Sequence, residues 1–169
     1  INRGTNWRKK TEIGKNCLIM AYCHIAHDCK VGDNSIFSNN STLAGHVTVQ
    51  DYVILAGMVA VHQFCNIGRH AFIAGGSLVR KDIPPFVKAA REPLSYVGIN
   101  SVGLRRRGFE SKKIREIQNI YRILYQKKFN NTQAINIIEA EVEATTARDE
   151  ILLFIKNSQR GIMKGYVQN

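Results

Sequence analysis

The sequence predicts a mainly β chain, a left-handed parallel β-helix of hexapeptide repeats followed by a small α-helical C-terminal domain. Two observations carry this. Every sixth residue from Ile13 to Val79 is aliphatic or aromatic without exception, and beyond Pro84-Pro85 the apolar spacing changes to three and four. An amphipathic helix repeats at about 3.6 residues and a half-buried strand at about 2, so a strict six fits neither. It fits a coil of three short flat strands whose aliphatic side chains fill a triangular core.

From the start of the chain, Ile1 is in phase with the hexads, but Trp7 and Arg8-Lys9-Lys10 interrupt them, so residues 4–12 read as a loop between coils. An opening Ile in place of Met implies a truncated or processed chain. The apolar register then runs Ile13, Ile19, Ile25, Val31, Phe37, Leu43, Val49, Leu55, Val61, Ile67, Ile73 and Val79. Four residues after each comes a small or β-branched side chain, from Cys17, Cys23, Cys29 and Ser35 through to Ile83. All four cysteines (Cys65 is the last) share this inward register. Cys23 and His24 point to opposite sides of a strand, so the crowding of Cys and His over residues 17–29 reads as buried thiols and no metal site. Reduced thiols, with no basic stretch leading into an apolar leader, suit the cytoplasm.

The β-helix domain is assigned to residues 1–85, with regular hexads over 13–84. At Asp82-Ile-Pro-Pro two prolines are expected to forbid another paired strand. Residues 86–109 read as a connecting segment with a basic motif, and 110–169 as a helical domain. There Ile114, Ile117, Tyr121, Leu124 and Tyr125 predict a first helix with Ser111 as its N-cap. A second is expected over about Thr132–Ala144 and a third over about Arg148–Asn157.

With 24 Lys and Arg against 13 acids the chain carries a net charge of +11, spread over both halves, which favours an acidic partner. Nucleic acid is disfavoured, because no aromatic residues interleave the basic ones as a stacking platform. No apolar run approaches the ~18 residues of a membrane span.

Residues three hexads apart stack one above another at about 4.8 Å. On that map His24, His27, His46 and His62 gather on one edge at outward positions. Asp28 lies below His46, Gly45 above His27, and Gln63 in the same row. His70 falls elsewhere and reads as surface. A His beside a carboxylate is held in one tautomer and works as a general base near neutral pH. A bare Gly45 N–H one rung away is suited to an oxyanion. No Ser or Cys shares the stripe, which favours direct attack by a substrate hydroxyl or amine. Hydrogen-bonding surface histidines, or a His-ligated metal between subunits, are the competing readings.

The segments His24-Ile-Ala-His-Asp-Cys29, Leu43-Ala-Gly-His46, Gly57-Met-Val-Ala-Val-His-Gln-Phe-Cys65 and Gly98-Ile-Asn100 through Gly103-Leu-Arg-Arg-Arg-Gly-Phe109 resemble the UDP-N-acetylglucosamine O-acyltransferase family. The resemblance extends through Ser158-Gln-Arg-Gly161 in the helical tail. It implies transfer of a 3-hydroxyacyl chain from acyl carrier protein to the sugar 3-hydroxyl, the first step of lipid A synthesis in a Gram-negative-type bacterium. His27 would be the base, Asp28 its orienter and Gly45 the oxyanion donor. His24, His46, His62 and Gln63 would position the substrates. Asn100, Arg106 and Arg107 match nucleotide and phosphate contacts, and Met20 and Gly75 match the acyl-chain groove. The family implies a homotrimer with sites between subunits, no cofactor beyond the phosphopantetheine of the carrier, no metal and no membrane insertion. Val102 departs from the family's Glu, and roughly the first third of the family's chain has no counterpart here. The alternatives are N-acylation of UDP-3-O-acyl-glucosamine and a trimeric scaffold without activity.

Overall fold

The computed structural model describes residues 1–126 and 129–165. Twelve two-residue strands come first: β1 (Glu12–Ile13), β2 (Leu18–Ile19), β3 (His24–Ile25), β4 (Lys30–Val31), β5 (Ile36–Phe37) and β6 (Thr42–Leu43). They continue as β7 (Thr48–Val49), β8 (Ile54–Leu55), β9 (Ala60–Val61), β10 (Asn66–Ile67), β11 (Phe72–Ile73) and β12 (Leu78–Val79). Each pairs in parallel with the strand three places on, so the faces of the prism are β1-β4-β7-β10, β2-β5-β8-β11 and β3-β6-β9-β12. The expected β-helix is what forms, with Ile25, Phe37, Leu43, Val49, Leu55, Ile67 and Ile73 buried at its axis. The second register lines it too: Cys29 and Cys65 are buried free thiols, while Cys17 and Cys23 are half-buried. Burial pushes the Cys65 thiol up to about 11, which keeps it protonated and inert at neutral pH.

Between strands the chain turns through a left-handed residue at every sixth position. Asn16, Tyr22, Asp28, Asn34, Asn40, His46, Tyr52, Met58, Phe64 and His70 all have φ between 54° and 63°. Only at Gly76 is the residue one that adopts this conformation freely. Elsewhere it costs on the order of 1 kcal/mol, and the parallel ladders above and below hold it in place.

Pro84 and Pro85 do not end the pairing, contrary to expectation. Ile83 bridges Ile67, and the next strand, β13 (Val87–Ala90), pairs in parallel with β11, Phe72 opposite Lys88. The prolines sit in the turn, where they need donate nothing. A hairpin to β14 (Ser95–Ile99) widens this one face, and β15 (Lys164–Gly165) adds to its edge from the far end of the chain. The segment read as a connector thus holds two strands and a short helix, α1 (Ser101–Arg106).

Three longer helices follow: α2 (Ser111–Gln126), α3 (Asn131–Glu141) and α4 (Thr146–Asn157). Ser111 is inside α2 and is not its N-cap; the carbonyl of Glu110 takes the Ile114 N–H. Ile114, Ile117, Tyr121 and Leu124 are buried as the spacing implied, and Tyr125 partly so. Asn130 and Gln133 form a reciprocal capping box on α3, and Thr145 caps α4. The helices dock on the prism through Tyr121, whose hydroxyl donates to Pro85 O at 2.6 Å, and through the Arg69–Glu150 ion pair. Among the described residues, no helix is long and apolar enough to cross a membrane.

His70 is not a surface residue. It is 4% exposed, stacked on Tyr52 at 4.8 Å and Phe86 at 5.8 Å, with Phe109 edge-on. Desolvation, with the cations of Arg69, Arg107 and Lys113 nearby, lowers its pKa to about 4. An unfolded chain takes this proton near pH 6.5 and the folded one does not until about pH 4. Stability from this group is therefore full above about pH 6.5 and lost as pH falls towards 4, a difference on the order of 3 kcal/mol. Urea denaturation between pH 7 and 4 should show that decline in the parent and a much flatter profile in His70→Phe.

Candidate active site

The corner between the β3 and β4 strands recurs one and two coils up, and its residues are 26–28, 44–46 and 62–64. Each repeat ends on the left-handed residue, Asp28, His46 or Phe64, which turns the preceding side chain, His27 or Gln63, out of the prism. Backbone bonds stack the corners: His46 N–H donates to His27 O at 3.0 Å and Phe64 N–H to Gly45 O at 3.2 Å. Local folding thus assembles the stripe from residues far apart in the sequence.

At its centre His27 Nδ1 lies 2.8 Å from Asp28 Oδ2. An ionised carboxylate only accepts, so this contact assigns the proton to Nδ1 and leaves the lone pair on Nε2. The His27 side chain is 41% exposed and that of Asp28 0%. Asp28 is not on the outer surface; the loop of residues 4–11, one residue shorter than expected because Glu12 is already in β1, covers it. Burial opposes its ionisation, but hydrogen bonds from Thr5, His27 and Arg8 outweigh that and hold the carboxyl well below the usual carboxylate range.

His46 completes the cluster. Its Nε2 is 3.9 Å from Asp28 Oδ2, and its ring stands edge-to-face with His27 at 5.0 Å. Phe64 stacks on His46 at 4.6 Å and Trp7 meets it edge-on at 5.7 Å. Gly45 is needed for close approach: a Cβ there would lie 2.6 Å from His27 Cε1 and 2.8 Å from Nε2. His62 and Gln63 are exposed one rung higher, with His62 Nδ1 3.1 Å from the Gln63 carbonyl. His24 is exposed on β3 beside the same corner.

Ligating atoms of His27, Asp28 and His46 fall within 4.8 Å of one another, a spacing a metal ion spans. However, Asp28 already accepts from Thr5 N–H, Thr5 O–H, Arg8 N–H and His27. A carboxylate has about four lone-pair directions, so none remains for a cation. The donor set suits a base and its orienter better than a metal centre.

The other sequence-derived positions lie apart from this corner. Asn100 spends its amide within the chain: Nδ2 donates to His70 O at 2.9 Å, and Oδ1 accepts the Gly103 N–H as the cap of α1. Arg107 packs its guanidinium 5.2 Å from the Tyr52 ring and donates to Gly103 O. Arg106 lines a pocket of about 380 Å³ with Lys88, Asn100, Val102, Ile54 and Phe72. That pocket opens on the face of β8 and β11, a different face from the histidine corner. Met20 and Gly75 are exposed on the third part of the prism, at the corners that follow β2 and β11. Sequence reading missed Thr5, Trp7, Arg8 and Phe64. Only Phe64 carried a signal, since it stacks directly over His46 in the hexad map.

Residues 82–163 match the family model described as UDP N-acetylglucosamine O-acyltransferase, domain 2, and residues 10–45 match the bacterial transferase hexapeptide model. An acyl-[acyl-carrier-protein]--UDP-N-acetylglucosamine O-acyltransferase of Aliivibrio salmonicida is 44% identical over 97% of this chain and 63% of its own. That of Herminiimonas arsenicoxydans is 46% identical over 97% of this chain and 64% of its own. The crystal structure of a UDP-N-acetylglucosamine acyltransferase from Bacteroides fragilis superposes with a TM-score of 0.92, at 43% identity, over 95% of this chain and 63% of that one. The chain therefore spans about 63% of the length of the curated relatives it matches.

Proposed function

Over the length it shares with these relatives the chain belongs to the UDP-N-acetylglucosamine O-acyltransferase family, and from that premise we propose that it transfers a 3-hydroxyacyl chain from acyl carrier protein to the 3-hydroxyl of UDP-N-acetylglucosamine, the first step of lipid A synthesis. The observation that carries the reading is the His27–Asp28 pair with bare Gly45 against the open edge of the imidazole. His27 Nε2 takes the hydroxyl proton as the sugar oxygen attacks the thioester carbonyl. The Gly45 N–H faces the oxyanion of the tetrahedral intermediate. Its collapse breaks the C–S bond, and the proton on His27 passes to the departing thiolate of the carrier's phosphopantetheine. No other cofactor and no metal enter these steps.

His24, His46, His62 and Gln63 hold the substrates around this centre, and Met20 and Gly75 border the acyl chain. Arg106, beside Lys88, meets the phosphates, because guanidinium binds them through paired N–H groups. Asn100 and Arg107 serve that pocket by fixing α1 under it. Val102 lines the pocket where the family resemblance leads one to expect a carboxylate, leaving its charge uniformly positive. The outward side chains of one face, Leu18, Ile36, Ile54 and Phe72, stack into an apolar ladder that supports assembly of the chain as a homotrimer. With the phosphate pocket on that face and the base at another corner, a whole site is built from neighbouring chains. The net charge of +11 suits the acidic carrier. Relatives from Gram-negative bacteria and free thiols support a cytoplasmic enzyme of such an organism.

The test supplies 3-hydroxyacyl-acyl carrier protein with either UDP-N-acetylglucosamine or UDP-3-O-acyl-glucosamine and identifies the product by mass spectrometry. An ester on the first acceptor is expected. An amide on the second, with no ester, would shift the reading to N-acyl transfer. A folded chain that trimerises and binds nucleotide but gives neither product would be a scaffold.

A further inference from the structure

Residues 4–11 leave the hexad lattice, which resumes at Glu12 in β1, yet they make more hydrogen bonds to Asp28 than any regular coil does. Thr5 N–H donates to Oδ1 at 3.0 Å and to Oδ2 at 3.1 Å, and its hydroxyl donates to Oδ2 at 2.6 Å. Arg8 N–H donates to Oδ1 at 3.1 Å, while the Arg8 guanidinium reaches the Asp28 carbonyl, also at 3.1 Å. The Asp28 N–H in turn donates to Thr11 Oγ1 at 3.0 Å. The loop braces itself around this point: Lys9 N–H donates to Thr5 O, and Trp7 N–H to Thr5 Oγ1. A surface carboxylate would rotate freely about χ2. Here both oxygens are fixed, and Oδ2 is aimed at His27 Nδ1.

We propose that Thr5, seconded by Arg8, is a positioning residue for the transfer reaction: the loop clamps the Asp28 carboxylate so that it holds His27 in the tautomer with a free Nε2. This rests on His27 being the base proposed above. The hydroxyl of Thr5 is the decisive side-chain donor, because the other clamping groups are backbone N–H groups that substitution leaves in place. Among the described residues, the charged and titratable groups near the pair include Arg8 from the loop, His46 from the next coil and the buried Cys29 thiol, with His27 and Asp28 themselves. Losing one hydrogen bond to a charged acceptor leaves the pair less ordered, enough for about a tenfold fall in rate.

The test compares Thr5→Val, which keeps shape and backbone N–H but removes the hydroxyl, with Thr5→Ser, which keeps the hydroxyl. In the parent, ¹⁵N NMR of the imidazoles should show His27 as the Nδ1–H tautomer at neutral pH. Thr5→Val is expected to populate the Nε2–H form and to lower kcat about tenfold with KM little changed. Thr5→Ser should restore both. The proposal is overturned if folded Thr5→Val keeps the parent tautomer, or if Thr5→Ser is as impaired as Thr5→Val. The tautomer is read without turnover, so a chain inactive in acyl transfer would still decide whether the clamp works.

Discussion

Alanine at position 27 is expected to lower kcat/KM for acyl transfer by between about 10²- and 10⁴-fold while leaving the fold intact. The reason is geometric. Only His27 in the stripe has one ring nitrogen tied to a buried carboxylate and the other open beside a glycine. His46 shares the same Asp28 at 3.9 Å, beyond hydrogen-bond reach, and its ring is enclosed between Phe64 and Trp7. His62 leans on a neutral carbonyl, and among the described residues no charged partner orients it. Truncation at 27 removes an imidazole that is 41% exposed, so little packing is lost and circular dichroism should be unchanged. With His27 as the base proposed above, the loss should fall on kcat, since the ring would act on the proton and anchor neither substrate. A larger loss from His46→Ala or His62→Ala than from His27→Ala would move the base elsewhere in the stripe.

The repeat was legible because burial repeats with the coil: Ile25, Leu43 and Val61 must all fill one axis, and only apolar side chains do so. The helices were legible for the same reason, through Ile151, Leu152 and Ile155. Much less could be read at the corners. The left-handed position accepts Asn, Asp, Tyr, His, Met and Phe alike, since the ladders on either side impose the conformation and the residue itself does not. His70 reads as surface in any single coil; Phe86, from the turn after Pro85, and Phe109 and Arg107, brought back beyond the hairpin and α1, bury it. The stripe placed His27, Asp28 and Gly45 together correctly, but could not reveal that Asp28 is sealed. Its seal is largely main-chain N–H of an irregular loop, which leaves no mark in residue type. The separation of Arg106 from the histidines was equally hidden, because the return of residues 86–109 along one face depends on the turn at Pro84-Pro85.

Gly45→Ala is expected to cost about 10²-fold or more in kcat, close to the loss at His27 itself. A methyl group there would sit 2.6 Å from His27 Cε1 and 2.8 Å from Nε2, well inside the 3.5–4.0 Å or so at which carbon atoms rest. The imidazole must retreat by about 1 Å. It cannot slide while Nδ1 holds Asp28, and Asp28 cannot follow because Thr5 and Arg8 pin both its oxygens. The cheaper response is for the exposed ring to swing outward and break the Asp28 contact, which spares the fold and loses the proposed base. Alanine keeps the N–H at position 45, so the proposed oxyanion donor itself survives. That separates two explanations. If the cost runs through His27, the double variant His27→Ala/Gly45→Ala should be no slower than His27→Ala alone, a strongly non-additive cycle. If the two losses multiply, the methyl group acts on the substrate carbonyl, and the apposition of Gly45 to His27 has no share in catalysis.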